Sequence, residues 1–137
     1  MILIACLDDN GGMMFNARRQ SKDRLLREHM LRACDGITLW MSPYSAAQFK
    51  PNAPVQGDEH YAQLVKETDA CFVEDGEFPQ STPDTLLLYR WNRRYPADRY
   101  FPFDPIQTGF RLVCTEEFAG SSHDRITVDR YEKEDAV

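Results

Sequence analysis

The arrangement of short apolar runs along the chain is the feature that most constrains the fold. Helical patterns or polar loops separate four runs of strand length, which are residues 2–7, 37–41, 70–73 and 86–91. The early order, strand–helix–strand–helix–helix–strand, is typical of a largely parallel sheet with helices on its faces. Two later runs, 110–114 and 125–131, predict a closing antiparallel pair. We therefore predict an α/β fold with a mixed, mostly parallel sheet.

Capping residues indicate where the helices begin. Ser21 predicts the cap of a helix over 22–34, because a serine hydroxyl can accept a hydrogen bond from the first turn. Ser42, followed by a proline suited to the first helical position, predicts the start of a second, short helix. Asp58 predicts the cap of a third helix over 59–68. The predicted loops are 8–20, 50–57 and 74–84.

Length and charge limit the classes of protein to consider. A chain of 137 residues corresponds to one domain, 1–137, with a core large enough to need no disulfide or metal. No apolar run approaches the ~20 residues of a membrane span, and the N-terminus lacks the basic region of a secretory signal. We expect a cytoplasmic protein that does not bind membranes. The net charge of -6 argues against nucleic-acid binding.

Basic residues form two clusters despite the negative net charge. The first holds Arg18, Arg19, Lys22, Arg24, Arg27 and Arg32, and the second holds Arg90, Arg93, Arg94 and Arg99. Such runs are most often solvated faces of the protein. The alternative is that the two clusters converge on one surface that binds an anion.

The cysteines and histidines do not have the spacing of a metal site. No Cys-x-x-Cys pair is present, and the three histidines are far apart in the sequence, so we expect no metal. Cys6, Cys71 and Cys114 lie within apolar runs and are predicted to be reduced core residues.

A resemblance to a known family rests mainly on the last third of the chain. The motif Asp98-Arg99-Tyr100-Phe101-Pro102 follows a strand and precedes the closing pair, and a Gly12 to Asn16 loop follows the first strand. This order resembles the dihydrofolate reductase family. The resemblance implies a three-layer fold with helices on both faces of the sheet and, if chemistry is retained, reduction by NADPH.

Two positions that matter for chemistry in that family are altered or uncertain here. Arg18, Arg19 and Gln20 stand where the family has the apolar Leu-Pro-Trp lid over the nicotinamide, so the lid is cationic. Asp23 is the one carboxylate at a position comparable to the family's proton-transferring acid, and the resemblance implies a catalytic role for it. Its neighbours Lys22 and Arg24 favour instead an ionised group at a helix N-terminus.

The two turns that hold the cofactor phosphates in the family also differ. The first reads Met41-Ser42-Pro43-Tyr44-Ser45 and lacks the family's Gly and Arg, although Ser42, Ser45 and the helix N-terminus could bind an anion. The second retains one glycine, Gly76, as a possible cofactor contact, among Glu74, Asp75 and Glu77, which would repel a pyrophosphate. The middle of the chain also leaves little room for the family's additional strand near the adenosine end.

These departures favour a divergent protein that binds a small anionic ligand or a partner and lacks normal NADPH binding. Its candidate ligand-binding residues are Asn16, Arg18, Arg19, Ser42, Ser45, Tyr89 and Arg90. The alternative is an NADPH-dependent reductase of the dihydrofolate or riboflavin-pathway type.

A third possibility is phosphoester hydrolysis by Asp8, Asp9, His29 or Asp23, but no spacing supports it. Single aromatic residues at 40, 44 and 91 could mark a homodimer interface, although such residues more often lie in the core.

Overall fold

The computed structural model describes residues 1–134, which form a seven-stranded sheet and a second sheet of three short strands. In chain order the strands are β1 (Ile2–Leu7), β2 (Gly12–Phe15), β3 (Arg18–Arg19), β4 (Leu39–Met41), β5 (Val55–Gly57), β6 (Ala70–Phe72), β7 (Thr85–Arg90), β8 (Arg99–Tyr100), β9 (Phe110–Phe118) and β10 (Ile126–Lys133). The helices are α1 (Arg24–Ala33), α2 (Pro43–Ala46) and α3 (Tyr61–Leu64), with a 3-10 turn at Ile106–Thr108.

The main sheet has the order β5-β4-β6-β1-β7-β10-β9. The five strands from β5 to β7 are parallel, whereas β10 pairs antiparallel with both β7 and β9. The register of β10 against β9 shifts between Arg130 and Tyr131. This topology confirms the predicted mixed, mostly parallel sheet with a C-terminal antiparallel pair.

Both faces of the sheet are covered. On one face Ile4 and Cys6 of β1 pack with Leu26 and Met30 of α1. On the other face the alternate residues of β1 pack with Tyr61 of α3 and with aromatic residues near the C-terminal pair. Fully burying a side chain such as Met30 stabilises the fold by roughly 1.5–3 kcal/mol. This explains why β1 is apolar throughout rather than alternating.

Helix α1 begins later than the sequence pattern indicated. Its cap is Asp23, whose Oδ1 accepts hydrogen bonds from the main-chain N–H groups of Leu25 and Leu26. Serine and aspartate are about equally good caps, so local preference could not choose between two candidates that lie two residues apart. The predicted capping role of Ser21 was therefore wrong, and its hydroxyl lies against His123 instead.

The predicted loop over 8–20 contains two short strands. Strands β2 and β3 form a hairpin whose turn residues, Asn16 and Ala17, have φ angles of 54° and 58°. Strand β8 pairs with β2 and completes the small sheet. Positive φ at both turn positions matches the twist of a tight hairpin. The hairpin places Arg19 next to Tyr44 and Glu74, which follow the carboxyl ends of β4 and β6.

The middle of the chain contains one more strand than predicted. Strand β5, within the predicted loop 50–57, pairs in parallel with β4 at the edge of the sheet. The expectation of little room for an additional strand was wrong, because three residues suffice for an edge strand. Helix α3 spans only four residues, and Asp58 accepts a hydrogen bond from His60 N–H without capping it.

The cysteines divide between the core and the surface. Cys6 and Cys71 are buried as predicted, whereas Cys114 is exposed because β9 is an edge strand and most of its side chains face solvent. Of the helices described within residues 1–134, none is long and apolar enough to cross a membrane.

Candidate functional site

The candidate site lies at the carboxyl ends of β1, β4 and β6, where ligands bind in open parallel sheets. Glu74 lies just beyond β6, with only 6% of its surface exposed. Its Oε1 accepts hydrogen bonds from Ser45 Oγ at 2.8 Å and Gln48 Nε2 at 3.0 Å. Arg19 Nε lies 3.2 Å from Oε2 and 3.3 Å from Oε1. We call Glu74 and these three donors the Glu74 network.

The Glu74 network joins the hairpin to the main sheet. The Arg19 guanidinium lies 4.1 Å from the centre of the Tyr44 ring, and Arg19 Nη2 donates to the Tyr44 carbonyl. The main-chain N–H of Arg19 donates to the Tyr44 hydroxyl at 3.0 Å. Burial raises the pKa of the Glu74 carboxyl, and the Arg19 charge and the Ser45 hydrogen bond offset part of the rise. Arg19 of the hairpin is thus held against the start of α2 by one buried carboxylate.

The start of α2 is already occupied by carboxylates of the protein itself. Ser42 caps the helix by accepting from Ser45 N–H, and its hydroxyl donates to Asp75 Oδ1 at 2.6 Å. Ser45 donates to Glu74. The two serines predicted to hold an external anion are therefore brought together, but each one contacts an acidic side chain of the turn after β6.

The depression beside α2 and α3 is acidic. It has a volume of ≈ 590 Å³, and the charged side chains of its lining are Glu59, Asp75 and Glu77. Gly76 also lines it, and a Cβ at this position would overlap the Tyr61 ring and hydroxyl. The glycine therefore permits close packing against Tyr61, whose hydroxyl donates to the Glu77 carbonyl at 2.9 Å.

Asp23 is buried at the start of α1. Its Oδ1 accepts from the main chain of Leu25, Leu26 and Ser121, and its Oδ2 accepts from Ser122 N–H at 2.8 Å. His123 Nδ1 lies 3.1 Å from the same Oδ2. Burial alone would raise the pKa of Asp23, but these hydrogen bonds hold it well below its usual range. The carboxylate is consequently ionised and fixed.

A second depression lies between α1 and the segment that follows α2, and we call it the Arg27 cleft. Its volume is ≈ 300 Å³, and its lining comprises Arg24, Arg27, Glu28, Leu31, Gln48, Phe49, Lys50, Asn52 and Ala53. Arg27 Nη1 is buried and has no hydrogen-bond partner among the residues that the structure describes. Burial lowers the pKa of the Arg27 guanidinium, while the nearby Asp23 and Glu74 charges act in the opposite direction.

Of the remaining predicted residues, Asn16, Tyr89 and Arg90 lie apart from this site. Asn16 is in the exposed hairpin turn, where its N–H donates to Asp98, and Arg18 is exposed beside it. Tyr89 is fully buried and its hydroxyl lies 2.7 Å from His29 Nδ1. Arg90 pairs with Asp129 at 2.8 Å and lines a different depression, which it shares with β1 and the 101–105 segment. Arg90 therefore does not share a cleft with Arg18 and Arg19, whereas Arg99 of the second basic cluster donates to the carbonyl of Gly76, which lines the acidic depression beside α2.

The residues weighed for phosphoester hydrolysis are also dispersed. Asp8 accepts from the main chain of Asn10, Gly12 and Tyr95, which shapes the turn after β1. His29 lies between Tyr89 and Glu116. Within residues 1–134 no group of three or more His, Cys, Asp or Glu side chains is arranged to hold a metal ion.

Three residues of this region, Arg27, Gln48 and His123, were not among the predicted site residues. Arg27 follows Asp23 by four positions, a spacing that puts both on one helical face, so helical periodicity could have found it. Gln48 and His123 had no comparable signal. The contact between Asp23 and His123 joins residues 100 positions apart and depends on the closing strand pair.

Comparisons with known proteins support the fold. No protein-family model and no curated protein sequence match the chain. Among solved structures it is similar to dihydrofolate reductase from Enterococcus faecalis complexed with NADP(H) and RAB-propyl, with a TM-score of 0.64. The sequences are 12% identical, and the alignment covers 98% of this chain and 96% of that chain. The chain therefore has a dihydrofolate reductase-like fold.

Proposed function

We propose that this protein binds a small anionic ligand in the Arg27 cleft and does not use a dinucleotide in the manner of the reductases whose fold it shares. The observation that supports the proposal is the buried Arg27 Nη1 atom, which has no acceptor within residues 1–134. A buried donor of a charged group without an acceptor is expensive, so an anion that enters the cleft and reaches Nη1 as the covering side chains move aside would be bound favourably.

The other residues of the Arg27 cleft fit the same kind of ligand. Arg24 and Lys50 add positive charge at the rim, where Glu28 is the one acidic side chain of the lining. Phe49, Leu31 and Ala53 add apolar surface. A cleft of ≈ 300 Å³ is at the small end of ligand sites and suits a carboxylate attached to a short apolar or aromatic body.

The start of α2 supports the second half of the proposal. In reductases of this fold, as the resemblance implies, helix N-termini and glycine-rich turns hold the cofactor phosphates. Here the Ser42 hydroxyl donates its hydrogen bond to Asp75, and the Ser45 hydroxyl donates its hydrogen bond to Glu74. A phosphate at this place would displace one carboxylate or lie beside both, and a like-charge contact of this kind costs on the order of 1 kcal/mol or more.

Thermal unfolding with matched ligands tests the proposal. We expect millimolar benzoate to raise the melting temperature while benzamide, which has the same ring without the charge, does not. Arg27→Leu should remove the benzoate effect, whereas Arg32→Leu, an exposed arginine on the same helix, should keep it. Equal shifts with benzoate and benzamide, or an undiminished shift in Arg27→Leu, would contradict the proposal.

The second candidate function is an NADPH-dependent reductase. The observation that favours it is the full-length likeness to a reductase structure that contains NADP(H). Titration calorimetry with NADPH distinguishes the two candidates. Tight binding by the wild type would favour the reductase. The double variant Glu74→Gln with Asp75→Asn removes the two negative charges beside Ser42 and Ser45. If NADPH bound to this variant and not to the wild type, the two carboxylates would be what prevents dinucleotide binding.

The possible homodimer and the cytoplasmic location stay predictions. Of the three aromatic residues considered for a homodimer interface, Trp91 is buried and Trp40 is partly buried with its Nε1 donating to Asp69. Tyr44 is partly exposed and packs on Arg19. Light scattering at micromolar concentration would decide between a monomer and a homodimer.

A further inference from the structure

A buried histidine joins a carboxylate to a serine hydroxyl at the start of α1. His123 is 4% exposed, and its Nδ1 lies 3.1 Å from Asp23 Oδ2. On the other side of the ring, Nε2 lies 3.1 Å from Ser21 Oγ. Trp91 stacks on the imidazole at 4.5 Å between ring centres and fixes its plane. This is the order of groups, carboxylate–imidazole–hydroxyl, that activates a serine for nucleophilic attack.

The hydrogen bonds around Asp23 set the tautomer of His123. The carboxylate accepts four main-chain N–H groups and is ionised, so the ring nitrogen that faces it carries the proton. Ser122 Oγ also lies 3.1 Å from Nδ1, but it lies closer, at 2.8 Å, to the Lys22 carbonyl, to which it donates. The Nε2 lone pair therefore faces Ser21 and can accept its hydroxyl proton.

The serine opens onto an unassigned depression. Ser21 is partly exposed and lines a surface hollow of ≈ 730 Å³ with Arg18, Arg19, Lys22, Tyr44 and Ser122. Three cationic residues line the same hollow as this hydroxyl, although Arg19 is paired with Glu74, and this charge favours an anionic substrate. The Arg27 cleft shares none of these lining residues, so this inference is independent of the ligand proposed for that cleft.

We infer that Ser21, His123 and Asp23 form an esterase site for small carboxylic esters that carry a negative charge. Ser21 Oγ attacks the ester carbonyl carbon while its proton passes to His123 Nε2. The bond between that carbon and the leaving alkoxide breaks, and the alkoxide takes the proton from His123. Water then hydrolyses the acyl-serine ester by the same path, which releases the acid and restores Ser21. Asp23 is a positioning residue that holds the ring and its tautomer.

Tyr95 limits the reactivity of this arrangement. Its hydroxyl lies 2.9 Å from His123 Nε2, closer than Ser21 Oγ, so the two hydroxyls share one lone pair. Tyr95→Phe leaves Ser21 as the one hydroxyl within reach of Nε2 in the described part of the chain. We expect this variant to react faster than the wild type.

Labelling with an alkyl fluorophosphonate tests the nucleophile. The reagent loses fluoride and forms a bond to an activated serine oxygen, which peptide mass spectrometry locates. We expect one label on Ser21, loss of labelling in Ser21→Ala, unchanged labelling in Ser81→Ala, whose serine is exposed elsewhere, and faster labelling in Tyr95→Phe. No label on the wild type, or equal labelling of Ser21→Ala, would overturn the inference.

Ester hydrolysis tests the base and the positioning residue. With 4-nitrophenyl hemisuccinate as substrate, His123→Asn should lower kcat about 100-fold, and Asp23→Asn should lower kcat with little change in KM. Neutral 4-nitrophenyl acetate should be the poorer substrate. Circular dichroism shows whether each variant is folded. If His123→Asn or Asp23→Asn is not folded, the inference is tested by comparing the labelling of Ser21→Ala with that of Ser81→Ala and by the rate of Tyr95→Phe. A preference for the neutral ester would overturn the assigned substrate class.

Discussion

Asp23 at the start of α1 and Glu74 just beyond β6 are two buried carboxylates whose pKa values move in opposite directions. Burial opposes the charge of both groups. Asp23 is compensated by four main-chain N–H groups, which the helix start and the 120–123 turn hold in place. Glu74 is compensated by three side chains, those of Arg19, Ser45 and Gln48. Fixed amide dipoles thus hold a charge more effectively than side chains that must themselves be ordered.

The comparison also assigns different roles to the surroundings of the two carboxylates, which we call the Asp23 side and the Glu74 side. The Asp23 side ties α1 to the turn before β10, and its side-chain contacts within residues 1–134 are those of Ser122 Oγ and His123 Nδ1. The Glu74 side connects the hairpin to the sheet through Arg19, whose side chain is 19% exposed, whereas the Asp23 side chain is fully buried. The Asp23 side should therefore contribute more to stability, and the Glu74 side more to access.

Replacing the carboxylate at position 23 should have the largest effect. Asp23→Asn substitutes an amide nitrogen for one oxygen, so at least the Ser122 main-chain N–H and the His123 ring N–H lose their acceptor, and we expect a loss of about 3–5 kcal/mol. Urea unfolding at pH 7 measures it. Glu28→Gln is the control on the same helix, because its exposed pair with Arg24 contributes about 0.5 kcal/mol or less. A loss below ~1 kcal/mol in Asp23→Asn would contradict the role given to the amides.

The stability profile with pH should separate the two carboxylates. The folded pKa of Asp23 lies below its unfolded value of ~3.9, so its contribution is present above that pH and is lost as the pH falls further. The folded pKa of Glu74 lies above its unfolded value of ~4.3, so protonation on acidification through that range stabilises the fold.

Urea unfolding at several pH values between 3 and 7 measures both slopes. Glu74→Gln should remove the gain on mild acidification, and Asp23→Asn should remove the loss at the acid end, an effect of ~2 kcal/mol. If the two variants and the wild type gave parallel profiles, neither carboxylate would have the environment described.

The sequence was sufficient for six of the seven strands of the main sheet, because each of them contains an apolar run of strand length. Strand β5 was missed because it has only three residues, Val-Gln-Gly, and lies at the edge. The small sheet was missed because β2 and β3 are two to four residues long and one of them is entirely charged. The sequence was enough to predict that Glu74 and Asp75 would repel a pyrophosphate, because both are acidic. It did not predict which hydroxyls donate hydrogen bonds to them, because Ser42 and Ser45 precede them by about 30 positions.

The site was less predictable than the fold for a physical reason. Arg18, Arg19 and Arg90 belong to runs of the same charge, yet Arg90 lies on the face opposite α1 with its partner Asp129, because side chains alternate along β7. Arg27 was named in the basic cluster, but its burial depends on how α1 packs against the segment after α2. Charge is local in the sequence, whereas burial is a property of the tertiary fold.

Gly120 offers a way to disturb the Asp23 side without changing the carboxylate. A Cβ at Gly120 would overlap Asp23 Oδ2 and lie close to Ile126, so Gly120→Ala should cost about 1–3 kcal/mol. Because the clash acts through Asp23, the losses in Gly120→Ala and Asp23→Asn should not add in the double variant. Urea unfolding of the four proteins measures the coupling. Additive losses would show that Gly120 acts through the backbone alone.

Removing the charge at position 74 should have the smallest effect on stability. Glu74→Gln keeps an oxygen that can accept from Ser45 and Gln48 and relieves the burial of a charge, so we expect a change within about 1 kcal/mol. Arg19 loses its ionic partner, however, and amide exchange at β3 should become faster by roughly fivefold, equivalent to ~1 kcal/mol of local opening. Ser45→Ala is the matched control, since it weakens the hold on Glu74 and leaves the Arg19 pair in place. Faster exchange in Ser45→Ala but not in Glu74→Gln would mean that the α2 start, rather than the Arg19 pair, holds the hairpin against the sheet.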